Sequence, residues 1–520
     1  MTDTATPTIL SIFSYEALLI IDMKKLLILA VAATLLIACG NKIPKKFSES
    51  DVLPNIYPDY TNVTVPVNIA PLTFEIDGKA DGVVARMTAG NEELICGGNK
   101  VMPDADDWKR LVESAKGDSI KVEVYVEKNS HWKRFKPFNI YVSPDSIDPY
   151  ISYRLISPSY VTYEELTINQ RCLENYDESV IYDNMLCSEG ADGQCINCHN
   201  YQQYNPDRMQ FHARQNFGGT VIAYDGAIRK VDIRNDSILS AGVYPAWHPW
   251  LKLIVYSTNK TGQIFHSVDP DKIEVFDTES DLIAYDVEKN EVANIENDPT
   301  ELECFPFWAP DGKTLYYCSA HFEYKDTVDK GKEFVTRTEE LKYNLYKKCF
   351  DPETLQFGPR ELVFAADSIN KSATLPRISP DGRYLMFTLA KSGIFHIWHH
   401  DADLWMLDLQ TGEARNMEEI NSPDTESYHS WSSNGRWVVF SSRRYDGNYT
   451  RPFIAHVDSD GRGSKPFELP CADPDYHRKF LKSYNVPEFM RGPVTIRPQQ
   501  FASVLKQEAQ PVKYVGRLNK

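Results

Sequence analysis

Cys195-Ile196-Asn197-Cys198-His199 is the stretch of this sequence whose residue types and spacing could do chemistry. Two thiols three residues apart, followed at once by an imidazole, form C-x-x-C-H, the attachment pattern of c-type haem. In that chemistry the thiols of Cys195 and Cys198 add to the porphyrin vinyl groups, and His199 becomes an axial iron ligand. The sixth position then falls to a side chain that folds back over the opposite face. His212 and Met209, in Pro206-Asp207-Arg208-Met209-Gln210-Phe211-His212, are the nearest candidates, and Met185 is a more distant third. The polar stretch around His212 favours it, because it offers the second ring nitrogen a partner. Two other chemistries use the same residues. Cys195 and Cys198 could close a disulfide, or they could join His199 and Cys187 or Cys172 around zinc or an iron–sulfur cluster.

Other groups carry weaker signals. Asp269, Asp271, Glu274, Asp277, Glu279 and Asp281 form an acidic run that could line a cation site but reads more simply as a solvated loop. His396, His399 and His400 read as a surface cluster. Asp458-Ser459-Asp460-Gly461 lacks the third acid and distal Glu of a calcium loop and reads as a turn. The G-x-S-x-G elbow of a serine hydrolase is absent, so no independent enzyme is expected.

An export signal fits the haem reading, since c-type haem is attached outside the bacterial cytoplasm. Met23-Lys24-Lys25 is a basic start, and Leu26 to Ala38 runs without a charge. That run is too short for a spanning helix, which needs about 20 apolar residues, and has the size of a signal-peptide core. It ends in Leu36-Ile37-Ala38-Cys39-Gly40, which resembles the lipobox of bacterial lipoproteins. The resemblance implies cleavage before Cys39 and acylation of that residue, and several acyl chains anchor far more firmly than one. Residues 1–22 are acidic and fit no such signal, so Met23 is the expected start. Residues 39–59 then form a polar tether, without the acidic run that directs some lipoproteins outward. The expected location is the cell envelope, on the outer membrane facing the periplasm. At the five residues of the C-x-x-C-H stretch, and nowhere else, the chain resembles cytochrome c.

The elements that position these residues read as β-rich. The 520 residues include 29 Tyr, and aromatic side chains suit pleated surfaces. The formal charge of −17, with no basic cluster, excludes nucleic acid as a partner. Between 60 and 150, segments such as Ser119 to Val126 alternate apolar and polar side chains, the period of a half-buried strand. We expect a β-sandwich-like domain there, with a short helix near 105–116. Residues 151–215 lack the alternation and hold the C-x-x-C-H segment; 163–175 could be helical.

From 216 to 470 one phrase recurs: Pro245-Ala246-Trp247, Pro306-Phe307-Trp308, Pro376-Arg377-Ile378 and His429-Ser430-Trp431. Three copies continue into a polar turn, Asp311-Gly312, Asp381-Gly382 or Asn434-Gly435, and then an alternating strand. Each copy is thus a hairpin. The phrases resemble the repeats of TolB-like and other WD40-like (PD40) β-propellers, and the resemblance covers about half the chain. It implies an all-β fold of about six blades, with Trp308 and Trp431 at equivalent buried positions. The copies lie further apart than the about 40–45 residues of a standard blade, so blades lacking the signature or long loops are expected between them. Residues 471–520 form a tail. A propeller of this kind implies a binding module for an envelope protein, peptide or glycan, and the haem adds a redox partner.

Overall fold

The computed structural model describes residues 42–157, 165–190, 193–326 and 328–518. Cys39 and the apolar run before it lie outside the described residues. Among those described, no helix is long and apolar enough to cross a membrane.

Residues 48–143 build one seven-stranded mixed sheet. Its centre is Gly82–Ala89 paired to Glu92–Gly98 and Ser119–Lys128. A helix, Ala105–Ser114, packs against it, and a second, two-stranded sheet pairs Ile56–Tyr57 with Glu75–Ile76. Asp104 caps this helix by accepting from the backbone N–H groups of Asp106 and Asp107, and Trp108, Leu111 and Val112 bury its apolar stripe. The same core continues into Trp437, Val439, Ile454 and Phe489, so this sheet is seated on the rest of the molecule.

The rest is a ring of six blades. Blade one runs through Gln194–Tyr201, Arg208–Gln215, Gly219–Tyr224 and Ala227–Asp232, and blade two through Gly242–Trp247, Leu253–Phe265, Ile273–Asp286 and Glu291–Glu296. Blades three, four and five begin at Glu301–Trp308, Ser372–Ile378 and Glu426–Trp431. Blade six takes its inner strand, Ser483–Met490, from the far end of the chain and its outer strands, Tyr150–Ile156, Thr167–Cys172 and Glu178–Asp183, from the near end. The inner strands touch one another in cyclic order, and blade six closes onto blade one. This closure removes all but the short outer sheet edges.

The ring therefore runs from Tyr150 to Met490 and exceeds the 216–470 expected from the repeats. The 151–215 segment supplies outer strands to blade six and inner strands to blade one. Thr167–Cys172, expected to be helical, is a strand buried on both faces, which is why its sequence shows no alternation. The tail adds edge strands, Gln510–Pro511 on blade one and Lys513–Arg517 on blade two.

Trp308 and Trp431 are buried at the ends of their inner strands. Each indole N–H donates to an inner-strand carbonyl of the preceding blade, Ala246 at 3.2 Å and Arg377 at 3.1 Å. The turn pairs repeat as closely: the side chains of Asp311, Asp381 and Asn434 accept from Lys313, Arg383 and Arg436 N–H. The glycine after each has positive φ, which an L side chain rarely adopts.

Candidate functional site: the channel wall

Every inner strand breaks register with its neighbour at one place. A residue with φ near +50° sits at each break: Cys198, Tyr244, Phe305, Leu375, Tyr428 and Val486. None is glycine, so each carries strain of about 1 kcal/mol, which the fold accepts six times to turn one side chain into the ring's axis. All six line one cavity of about 240 Å³.

Three residues after each bulge comes the large anchor: Tyr201, Trp247, Trp308, Ile378, Trp431 and Phe489. One residue after it comes proline in four blades and histidine in two, His199 and His429. Cys198-His199-Asn200-Tyr201 and Val486-Pro487-Glu488-Phe489 are thus two further copies of the repeated phrase. The C-x-x-C-H motif coincides with an inner-strand bulge.

The position explains the state of the residues. His199 is 2% exposed, and among the described residues neither ring nitrogen makes a hydrogen bond of good geometry, the backbone of Val486 and Ser152 being the nearest polar groups acting on it. Burial, with Arg154 nearby, pushes its pKa down to about 3, so the ring is neutral. His429 matches it: burial lowers its pKa to about 3, and Nε2 lies 3.0 Å from the Met386 carbonyl. Burial raises the thiols of Cys195 and Cys198. No disulfide joins the nine described cysteines.

Cys195, Cys198 and His199 line the same cavity; Met209 and His212 do not join them. Three apart on one strand, those two point to opposite faces of blade one. Met209 packs in the core between blades one and six. His212 lines a separate polar cavity, with Nδ1 3.1 Å from Thr220 Oγ1. Met185 lies at the surface. Among the described residues, no three His, Cys, Asp or Glu side chains assemble as a metal site. A c-type haem thus meets fitting attachment points, two thiols and a neutral imidazole. It meets no sixth ligand from Met209 or His212.

Sequence reasoning missed the other cavity residues. Tyr244, Phe305, Phe395, Trp398 and Tyr428 supply aromatic surface, and Arg154, Arg214 and Arg377 supply charge. None of these arginines has a carboxylate within 4 Å among the described residues. Arg377 lies over the Phe307 ring at 4.8 Å, and burial lowers its pKa to about 10. Glu488 accepts from Asn200 Nδ2 at 2.8 Å, and burial raises its carboxyl to about 7. In a chain of charge −17, a cavity with three cations and one half-protonated acid favours anions. The phrase Pro/His-x-large apolar, followed through all six copies, would have located this wall.

The acidic run and the histidine cluster, expected apart and solvated, meet each other. Asp271 is 2.7 Å from His400 Nδ1, and Glu274 is 2.9 Å from His399 Nε2. His396 and His399 are buried, and Glu274 to Asp281 lie on a strand of blade two, not on a loop.

No protein-family model and no curated protein matches the chain. Among solved structures it is similar to the periplasmic gluconolactonase of Pseudomonas aeruginosa, at 11% identity over 66% of this chain and all of that one, with a TM-score of 0.33. It is similar to the β-propeller domain of the trilobed protease from Pyrococcus furiosus, at 14% identity over 76% and 96%, with a TM-score of 0.31. Prolyl oligopeptidase B from Galerina marginata matches at 10% identity and a TM-score of 0.35; the match takes in 68% of this chain and 42% of that protein's length. The propeller assignment rests on the strand pairing itself.

Proposed function

We propose that this chain is a lipid-anchored envelope protein whose propeller channel binds a flat, anionic ligand. The observation that carries the reading is the cavity wall: aromatic bulge residues beside Arg154, Arg214 and Arg377, none of which forms an ion pair among the described residues. Ligand sites are mostly apolar with a few convergent polar groups. Arginine suits them because its planar guanidinium binds carboxylates in two-pronged fashion and stacks on rings. The cavity, about 240 Å³, is below the roughly 300–1,000 Å³ that enclose drug-sized ligands, so the ligand extends along the channel. Acylated Cys39 and the following polar tether hold the ring at the periplasmic face of the outer membrane. The rim docks an envelope protein, peptide or glycan.

One occupant has specific support. A c-type haem is flat, apolar and doubly anionic, and Cys195, Cys198 and His199 lie in the wall of this cavity. Thioether bonds to the two cysteines and an axial bond from His199 would hold it, and it would supply one-electron chemistry to a redox partner. Because Cys195 and His199 are buried in the closed ring, attachment would precede the pairing of Ser483–Met490 with blade six. The test is the full chain made with haem-maturation machinery, by mass spectrometry of the Cys195–Cys198 peptide and a reduced-minus-oxidised spectrum. An adduct lost in Cys198→Ala establishes the haem form. Without an adduct, free haemin titrated into the protein decides the wider reading: binding weakened about tenfold or more by Arg377→Gln supports it, and no binding overturns it.

A further inference from the structure

Away from the channel, in the seam between blades five and six and the N-terminal sheet, lies a second cysteine–histidine group. Cys471 Sγ is 3.6 Å from His477 Nε2 and 3.7 Å from Arg171 Nη1. His477 Nδ1 is 2.5 Å from Glu468 Oε1, and Glu468 also accepts from Tyr445 Oη at 2.9 Å. Arg171 is fixed by donating its other terminal nitrogen to the Pro470 carbonyl. Cys471 keeps 5% of its surface, and its three partners are as buried or more so.

The order nucleophile, base, orienting carboxylate is the arrangement that activates a thiol. Glu468 holds the Nδ1 proton, which leaves Nε2, between the sulfur at 3.6 Å and the Tyr484 hydroxyl at 3.3 Å, to take the thiol proton. Arg171 adds a second cation beside the resulting thiolate. The neighbouring chemistry agrees. Burial raises the thiol of Cys96 to about 12, whereas His477 and Arg171 outweigh burial at Cys471 and lower it.

We infer that Cys471 is a peroxide-reactive thiolate, activated by His477, Glu468 and Arg171, and that its oxidation modifies the seam between propeller and N-terminal sheet. With 5% of its surface exposed, Cys471 is suited to a small oxidant, a hydroperoxide. The thiolate attacks one oxygen of hydrogen peroxide, an S–O bond forms and the O–O bond breaks. The departing hydroxide takes the proton from His477 Nε2, giving sulfenic acid, water and a neutral imidazole; sulfur loses two electrons and peroxide gains them. The product sits where the two modules meet, since Thr73 Oγ1 donates to the Cys471 carbonyl at 2.6 Å and Tyr60 Oη to that of Glu468.

The full chain, exposed to hydrogen peroxide between pH 6 and 8, tests this by the rate of one-oxygen gain on the Cys471 peptide. We expect a nearly flat pH profile, and a rate at pH 7 about tenfold or more above that of Cys96; free cysteine, with a pKa near 8.5, rises about tenfold per unit over that range. His477→Gln should slow oxidation about tenfold and restore the steep profile. A wild-type rate that climbs as free cysteine does, or one equal to that of Cys96, overturns the proposal without reference to any variant.

Discussion

His199 and His477 are equally buried, each 2% exposed, and each stands near a cysteine, yet they are opposite in charge behaviour. Among the described residues His199 has no charged partner of opposite sign; desolvation and Arg154 outweigh the backbone of Val486 and Ser152 and take its pKa down to about 3. At His477 the same desolvation is outweighed by Cys471 and Glu468, and the value rises to about 9. Burial sets the size of the penalty on a charged imidazole; the anionic partners, Cys471 first and Glu468 second, decide whether the charge forms. One fold therefore holds a neutral ring suited to an electron-pair donor and an imidazolium suited to proton transfer.

The largest expected effect removes the scaffold common to both. Trp431→Ala, in the blade that also carries Glu468, should cost about 3–5 kcal/mol, as for other buried aromatic truncations, measured as a shift of the urea midpoint. A loss under about 1 kcal/mol would show that the anchor position is not core. Next, Glu468→Ala strands a buried cation and should cost about 3 kcal/mol. A double-mutant cycle with His477→Gln should recover most of that loss; additivity would deny the coupling.

The two histidines should also bend stability in opposite directions with pH. His199 has a depressed pKa, so its contribution is complete above its unfolded value near 6.5 and is lost as pH falls toward 3. His477 has a raised pKa, so its contribution is complete below about 6.5 and is lost as pH rises through 9. The lowered thiol of Cys471 offsets His477 over much of the alkaline range, so the contrast is read on the acid side: denaturation curves between pH 6.5 and 3 should be shallower in His199→Gln than in His477→Gln, and the reverse would contradict the contrast.

The smallest effect is the most discriminating. Four blades place proline where blade one has His199, so His199→Pro should cost under about 1 kcal/mol in chain made without haem. If the proposed haem is attached when maturation machinery is supplied, the same change should alter its spectrum. A large loss of stability without haem would show that the ring is held by contacts beyond the bulge.

The repeated phrase between 245 and 431 made the propeller legible, because hairpin turns and buried tryptophans are written locally. Two copies stayed hidden. His199-Asn200-Tyr201 was masked by the C-x-x-C-H reading, and Pro487-Glu488-Phe489 lay past the supposed end of the ring. The acidic run at 269–281 and the histidines at 396–400 looked solvated because each was weighed by itself. Their pairing joins residues more than a hundred apart.

The sequence by itself determined the β-rich class, the repeating hairpins and the adjacency of two thiols and an imidazole, since each is encoded within a dozen neighbouring residues. Ring closure through Ser483–Met490, the facing of Cys198 into a cavity with distant arginines, and the meeting of Cys471 with His477, Glu468 and Arg171 were decided by tertiary structure. Those contacts join segments up to 340 residues apart, as in the pairing of Tyr150 with Met490, and charge, burial and orientation there depend on side chains that no local pattern brings together.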